Sequence, residues 1–176
     1  MTSSAVHVRD ALDRDREAIL AVLLDAYGQY EGTMPGERWA EYKRNIAASV
    51  DEPGPFARLV AEHDGELVGS AVLFPSSLAA YGRELGIEAP IIRLIAVKPA
   101  ARGRGVATAL IRESARRARE LGARTLHLHT SDLMASAVRL YERLGFERAY
   151  DKDLYNGDIL VKSYRLHLDD ASLLKI

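Results

Sequence analysis

Apolar positions along this chain change period several times, and each change marks a predicted element. Val6-His7-Val8-Arg9 alternates as a short strand. Over residues 12–27, Leu12, Ile19, Leu20, Leu23, Leu24 and Tyr27 recur at helical spacing, with Asp10 or Asp13 placed to cap the helix. A more polar helix is predicted over residues 37–49 and stops before Pro53-Gly54-Pro55, which cannot continue it. Two β-rich runs, Ala57–His63 and Glu66–Phe74, are joined by Asp64-Gly65, the dipeptide a type I′ turn prefers. They predict a hairpin that Pro75 closes. Residues 76–90 hold Gly82, Gly86 and several charges, and predict a long loop that carries at most a short helix. Such a loop is a usual place for substrate contacts.

The second half alternates strand and helix. Ile91–Val97 is apolar on both alternations except at Arg93, as suits a central strand covered on both faces. Val106, Ala107, Leu110, Ile111, Ala115, Ala118 and Leu121 then form one helical stripe, with Gly122 placed to end the helix at C′. Residues 126–130 alternate as a strand, and Thr130, Ser131 and Asp132 are available to cap a further helix that ends at Leu144-Gly145-Phe146. Strands near 146–150 and over 159–168 follow, and residues 169–176 are left as a loose tail. Helices alternating with strands around a central apolar strand predict a mixed α/β sheet with helices on both faces. No repeat, low-complexity tract or break in composition divides the chain, so residues 1–176 read as one domain.

Between the central strand and the next helix stands Lys98-Pro99-Ala100-Ala101-Arg102-Gly103-Arg104-Gly105-Val106-Ala107. Its glycines permit close backbone approach and unusual dihedrals. The helix that follows leaves its first N–H groups without intrahelical partners at the positive end of its dipole. Arg102 and Arg104 add charged donors, so the segment suits a pyrophosphate. A Walker loop would need Gly-Lys-Ser/Thr after four intervening residues, and nothing here supplies it. A dinucleotide fingerprint would begin directly after the strand and end in Gly or Ala, whereas here Lys98 to Arg102 intervene and the last position is Thr108. An acyl-CoA loop is the third candidate.

Arg102-x-x-Gly105-x-Ala107, preceded by Val97-Lys98-Pro99, resembles the Arg/Gln-x-x-Gly-x-Gly/Ala signature of the GNAT acetyltransferase superfamily. Downstream, Ala137-Val138-Arg139-Leu140-Tyr141-Glu142-Arg143-Leu144-Gly145-Phe146 resembles that family's Ala-x-x-Leu-Tyr-x-x-x-Gly-Phe segment. The resemblance implies a six- or seven-stranded mixed sheet that splays open after its fourth strand and receives acetyl-CoA in the cleft. It implies direct transfer of an acetyl group to a primary amine of a small molecule or peptide. The alternative, from a different class, is a degenerate domain that binds acyl-CoA without turnover and acts as a regulator.

On that resemblance, Arg102, Gly103, Arg104, Gly105, Val106, Ala107 and Thr108 hold the pyrophosphate, and main-chain groups of Ile95, Ala96 and Val97 serve the pantetheine arm and acyl carbonyl. Tyr141 is then the general acid, since a phenol titrating near 10 can protonate a departing thiolate of pKa about 8 to 9. For the base, many relatives carry a Glu in the strand before the loop, but this strand holds Arg93 and no acid. Glu88, just before the strand, and Glu84, in the preceding loop, are the candidates to act through a water. Met134 stands where many relatives have an Asn, which removes an amide contact to the pantetheine arm. Glu31, Glu84 and Glu88 with Tyr27, Tyr30 and Tyr81 hint at a cationic amine acceptor.

Composition narrows these options. The chain has 176 residues and no cysteine, so it needs neither disulfide nor metal staple and offers no thiol for an acyl-enzyme intermediate. Lys plus Arg number 24 against 25 Asp plus Glu, a balance that gives no support for nucleic-acid binding. The Arg112, Arg116, Arg117 and Arg119 run is interrupted by Glu113 and Glu120 and reads as a solvated helix surface. Without an apolar signal segment or a stretch of about 20 apolar residues, a soluble cytoplasmic protein with no membrane partner is expected. Pairing through the last strands offers a route to a homodimer. His127 and His129 share a strand face, but two ligands without a third do not make a zinc site.

Overall fold

The computed structural model describes residues 5–28, 32, 35–82, 84–130, 135–156, 159–169 and 171–174. Its strands are β1 (His7–Asp10), β2 (Ala57–His63), β3 (Glu66–Phe74), β4 (Ile91–Val97), β5 (Thr125–Thr130), β6 (Glu147–Arg148), β7 (Leu154–Asn156) and β8 (Ile159–His167). The α-helices are α1 (Arg16–Tyr27), α2 (Gly36–Ser49), α3 (Ser77–Tyr81), α4 (Val106–Glu120) and α5 (Ala135–Arg143). Seven strands run in the order β1-β2-β3-β4-β5-β8-β6, and β7 pairs with β8 off that path, giving an eight-stranded mixed sheet. The chain forms two compact units, Met1–Val72 with Leu94–Ile111, and Leu73–Arg93 with Arg112–Ile176.

In the first unit the hairpin follows its sequence signals. Asp64 (φ 54°) and Gly65 (φ 80°) both take left-handed backbone, as a type I′ turn requires. β1 adds antiparallel to β2 with His7 opposite Glu62 and Asp10 opposite Leu59. The helix expected from Leu12 begins instead as a 3-10 turn at Asp13–Asp15 and becomes α1 only at Arg16. Leu12 itself is exposed, and α1 buries Val22, Leu23, Ala26 and Tyr27.

The N-cap positions fall on Leu12 and Asp15 rather than on Asp10 or Asp13, and Asp15 holds the entry. The buried Asp15 carboxylate accepts the Leu12 N–H at 2.7 Å and the Arg9 guanidinium at 2.7 Å, while Arg9 also reaches Glu62 on β2. The Arg9 hydrogen bond, then the Leu12 N–H, draw the Asp15 carboxyl down to about 2. β1, β2 and the start of α1 are thus pinned by one charged cluster.

In the second unit β4 runs parallel to β5, with Ile91 opposite His127 and Ile92 opposite Leu128. β8 is antiparallel to β5 over Thr125–Thr130 and carries β6 and β7 antiparallel as well. Leu126, Leu128, Tyr164 and Leu166 are buried by this ladder, each large side chain contributing about 1.5–3 kcal/mol.

Gly122 ends α4 as expected. Its N–H donates to the Arg119 carbonyl at 2.9 Å and the Ala123 N–H to that of Ala118 at 3.1 Å, the paired bonds of a Schellman motif. Leu121 lies past the helix end and is exposed rather than on the buried stripe. The strand expected near 146–150 is only Glu147–Arg148, because Tyr150–Lys152 turns as a 3-10 segment. Within the expected tail, Ser172–Leu174 forms a 3-10 turn and buries Ala171 and Leu173. No helix among the described residues is long and apolar enough to cross a membrane.

Asp15→Ala leaves the Leu12 N–H without its acceptor and Arg9 with Glu62 and the Asp10 carbonyl. We expect the unfolding free energy to fall by about 1–3 kcal/mol, read as a lower urea midpoint at unchanged slope; an unchanged midpoint contradicts the pinning role.

Candidate functional site

The glycine loop lies wholly in the first unit. After β4, Pro99–Ala101 makes a 3-10 turn, Gly103 (φ 80°) and Gly105 (φ 78°) take left-handed backbone, and α4 starts at Val106. A Cβ on either glycine would meet nothing within 4 Å, so dihedral freedom and not space is what these two positions require. Ala109 donates to the Gly105 carbonyl at 3.0 Å, closing the first helical turn. The preceding N–H groups, from Val106 to Thr108, lie outside the intrahelical ladder. Arg102, Gly103, Arg104 and Gly105 are exposed, Ala107 and Thr108 partly so, and Val106 is buried as the anchor of the turn.

That anchor has a partner the sequence did not reveal. A Cβ at Gly69 on β3 would sit 2.8 Å from Val106 Cγ1, 3.1 Å from the Ala96 carbonyl and 3.2 Å from Leu110 Cδ1. Gly69 therefore lets the first turn of α4 and the backbone of β4 close on β3. The only available signal was a glycine inside a strand pattern, which marks close backbone approach. The Lys98 N–H, donating to the Val68 carbonyl at 2.8 Å, fixes the strand exit next to it.

β4 is irregular where main-chain groups were expected to act. Leu94 (φ 56°) takes left-handed backbone, an unfavourable conformation for a leucine. The irregularity falls inside β4, directly before Ile95, Ala96 and Val97, without ending the strand. The Ile95 carbonyl accepts the Tyr27 hydroxyl at 3.3 Å, and Tyr27 in turn packs edge-on against Tyr42. Nothing in the sequence marked Leu94.

Tyr141 lies in the second unit, three residues before Leu144 and buried near the end of α5. The Gly145 N–H donates to Glu142 O at 3.1 Å and the Phe146 N–H to Tyr141 O at 3.0 Å, with Gly145 at φ 101°. This is a Schellman motif in which Tyr141 is C3 and Phe146 is C″, and their rings meet at 6.0 Å. The Leu-Tyr-x-x-x-Gly-Phe pattern is thus first of all a helix ending that fixes the Tyr141 ring.

Glu88 is exposed ahead of β4. Glu84 is engaged in shaping the loop: its carboxylate accepts the Gly86 N–H at 2.6 Å and the Ser77 hydroxyl at 3.0 Å, and these bonds lower its pKa. Tyr30, Glu31, Ser131, Asp132 and Met134 lie outside the described residues.

The same unit assembles Arg93, Tyr81 and His129. The Tyr81 hydroxyl is 2.7 Å from His129 Nδ1, and His129 Nε2 is 3.3 Å from the Lys152 carbonyl. A carbonyl only accepts, so the proton sits on Nε2 and Tyr81 donates to Nδ1. Burial lowers the His129 pKa and raises that of Tyr81 to about 12. His127 is buried as well, and burial, followed by the His129 charge, lowers it to about 4. Among the described residues no group of three or more metal-ligating side chains comes together.

Residues 16–146 match the model of the acetyltransferase (GNAT) family. Among curated proteins, the chain is 39% identical over 103 residues to mycothiol acetyltransferase of Nocardia farcinica, covering 58% of this chain and 29% of that one. It is 35% identical over 106 residues to streptothricin acetyltransferase of Streptomyces lavendulae, covering 60% and 52%. The chain thus spans about half or less of these relatives' length. The fold matches the PaiA N-acetyltransferase of Thermoplasma acidophilum, solved with coenzyme A, at TM-score 0.67 and 14% identity over 93% of this chain and 99% of that one. It also matches the histone acetyltransferase HPA2 and related acetyltransferase structure from Corynebacterium glutamicum at TM-score 0.69 and 20% identity, over 93% and 96%.

Gly69→Ala forces Val106 and the Ala96 carbonyl apart, and a loss of about 1–3 kcal/mol in stability is expected. Trimming the clashing side chain in Gly69→Ala/Val106→Ala should make the double variant less destabilised than the sum of the singles; strict additivity refutes the contact.

The His127 pKa is lower folded than unfolded, so the unfolded chain binds more protons between about 6.5 and 4, and stability should fall as pH drops through that window. His127→Asn should flatten the melting temperature against pH there; an unchanged profile contradicts the assignment.

Proposed function

The chain belongs to the acetyltransferase (GNAT) family, and from that premise we propose that residues 1–176 form one domain that moves an acetyl group from acetyl-CoA directly to a primary amine. The observation that carries this is the loop itself: left-handed Gly103 and Gly105 leading into the first turn of α4 beside the exposed Arg102 and Arg104. Backbone N–H groups, the positive helix end and two guanidinium groups fit a pyrophosphate. The left-handed Leu94 inside β4 supports main-chain service from Ile95, Ala96 and Val97, because an irregular residue re-aims the polar groups beside it.

In the proposed reaction the amine lone pair attacks the thioester carbonyl carbon, the C–S bond breaks, and the thiolate takes a proton from the Tyr141 hydroxyl. The new amide nitrogen loses its extra proton to water, with exposed Glu88 as the base behind that water. With no cysteine in the chain, the direct route needs no thiol intermediate. The matched mycothiol and streptothricin acetyltransferases favour a small-molecule acceptor. A second reading, acyl-CoA binding without turnover, is favoured by Arg93 standing in a strand that contains no acid.

Acetyl-CoA and CoA should raise the melting temperature, since a ligand binding only the native state adds about 2.7 kcal/mol at a hundredfold excess over Kd. Stabilisation by ATP or NADH but not acetyl-CoA overturns the donor assignment.

Thiol release across an amine panel then separates the two readings. Turnover that falls about 10²-fold or more in Tyr141→Phe supports the acid role. Unchanged turnover removes Tyr141 from it, and bound acetyl-CoA without turnover on any amine favours the binding domain.

A further inference from the structure

Arg93 is a cation with no ion pair to a carboxylate among the described residues. Its guanidinium lies 4.8 Å from the Tyr81 ring centroid and 5.8 Å from that of Phe74, and one N–H donates to the Ala80 carbonyl at 2.5 Å. A guanidinium has five donors, so four remain beyond that bond. Among the described residues no carboxylate pairs with it, although the side chain is only partly exposed. Two acids of this unit are committed elsewhere. Glu84 serves Gly86 and Ser77, and Asp153 holds Arg148 at 2.6 Å together with the Ser163 N–H at 2.7 Å.

The aromatic rings fix the direction of the fork, and burial first and then the Arg93 charge lower the pKa of the neighbouring His129 against the opposing Asp153 charge. A stacked, oriented guanidinium with spare paired donors matches a planar carboxylate bidentately. Packing alone would be served by an apolar side chain at lower desolvation cost.

We propose that Arg93 is the anion subsite of the acceptor, and that the acceptor is an amine carrying a carboxylate, an amino-acid-like compound. This rests on the transferase reading given above. The amine of such a molecule reacts while its carboxylate is held by Arg93, with Tyr81 and Phe74 keeping the fork in place.

The test uses the whole chain saturated with CoA and matched probes: phenylalanine against phenethylamine, tyrosine against tyramine, lysine against cadaverine, and O-phosphoethanolamine as the phosphate arm. Calorimetric titration should show the carboxylate member binding at least about ten-fold tighter in one or more pairs. In Arg93→Met that preference should vanish while stabilisation by acetyl-CoA is kept, and Arg93→Lys should restore only part of it.

Equal or tighter binding of every amine that lacks a carboxylate overturns the proposal. So does a preference that survives Arg93→Met, a preference for O-phosphoethanolamine, or loss of acetyl-CoA stabilisation in Arg93→Met, which assigns Arg93 to the donor. Should Arg93→Met not fold, the wild-type His129 titration followed by NMR decides: the carboxylate probe neutralises the nearby cation and moves it upward, whereas an unmoved His129 refutes binding there. Failure of the transferase reading shows separately, as absent stabilisation of the wild-type chain by acetyl-CoA.

Discussion

A missing side chain governs the first unit. At Gly69 the backbone of β3, the Ala96 carbonyl and the Val106 and Leu110 side chains converge on a volume that a single methyl group would overfill. Because α4 can seat its first turn that closely, the short turn Pro99–Ala101 and the two left-handed glycines suffice to connect strand to helix. The free N–H groups at the head of α4 are consequently held by rigid packing rather than by a floppy loop. The loop that enters α4 thus has a backbone geometry that packing has already fixed.

In the second unit polar side chains add a further set of ties to the β5–β8 ladder. Tyr81, His129 and the Lys152 carbonyl form one chain of hydrogen bonds with a single consistent proton assignment. Arg148 is held between the Tyr150 and Tyr164 rings while it pairs with Asp153. Such networks are costly to bury unless every member is satisfied, and here the unusual member is Arg93, whose donors outnumber its acceptors.

Much of the fold was legible because local chemistry decided it. Asp64-Gly65 dictated the hairpin, Gly122 and Gly145 each ended a helix through the paired bonds of a left-handed cap, and the apolar run of β4 marked a central strand. The misjudged features were those set by partners distant in sequence. Asp15 displaced Asp10 and Asp13 because Arg9 and the Leu12 N–H converge on it. Leu94 gave no sign because nothing about a leucine signals positive φ. Glycine spacing marked the turn that leads into α4, yet the juxtaposition of Arg93 with Tyr81 joins β4 to the end of α3, residues that no short motif contains.

One buried hydroxyl carries a last consequence. Ser77 Oγ accepts the N–H groups of Leu85 and Ile87 at 3.1 and 3.3 Å and donates to Glu84, while its own N–H donates to the Ile87 carbonyl at 2.9 Å. The stretch after α3 is therefore folded back on a single residue before any ligand arrives. Its ordering entropy is spent during folding and not at encounter, so a molecule meeting this surface finds a template of settled shape. Losing the Ser77 hydroxyl would remove both of its accepted bonds at once and return that ordering cost to the segment.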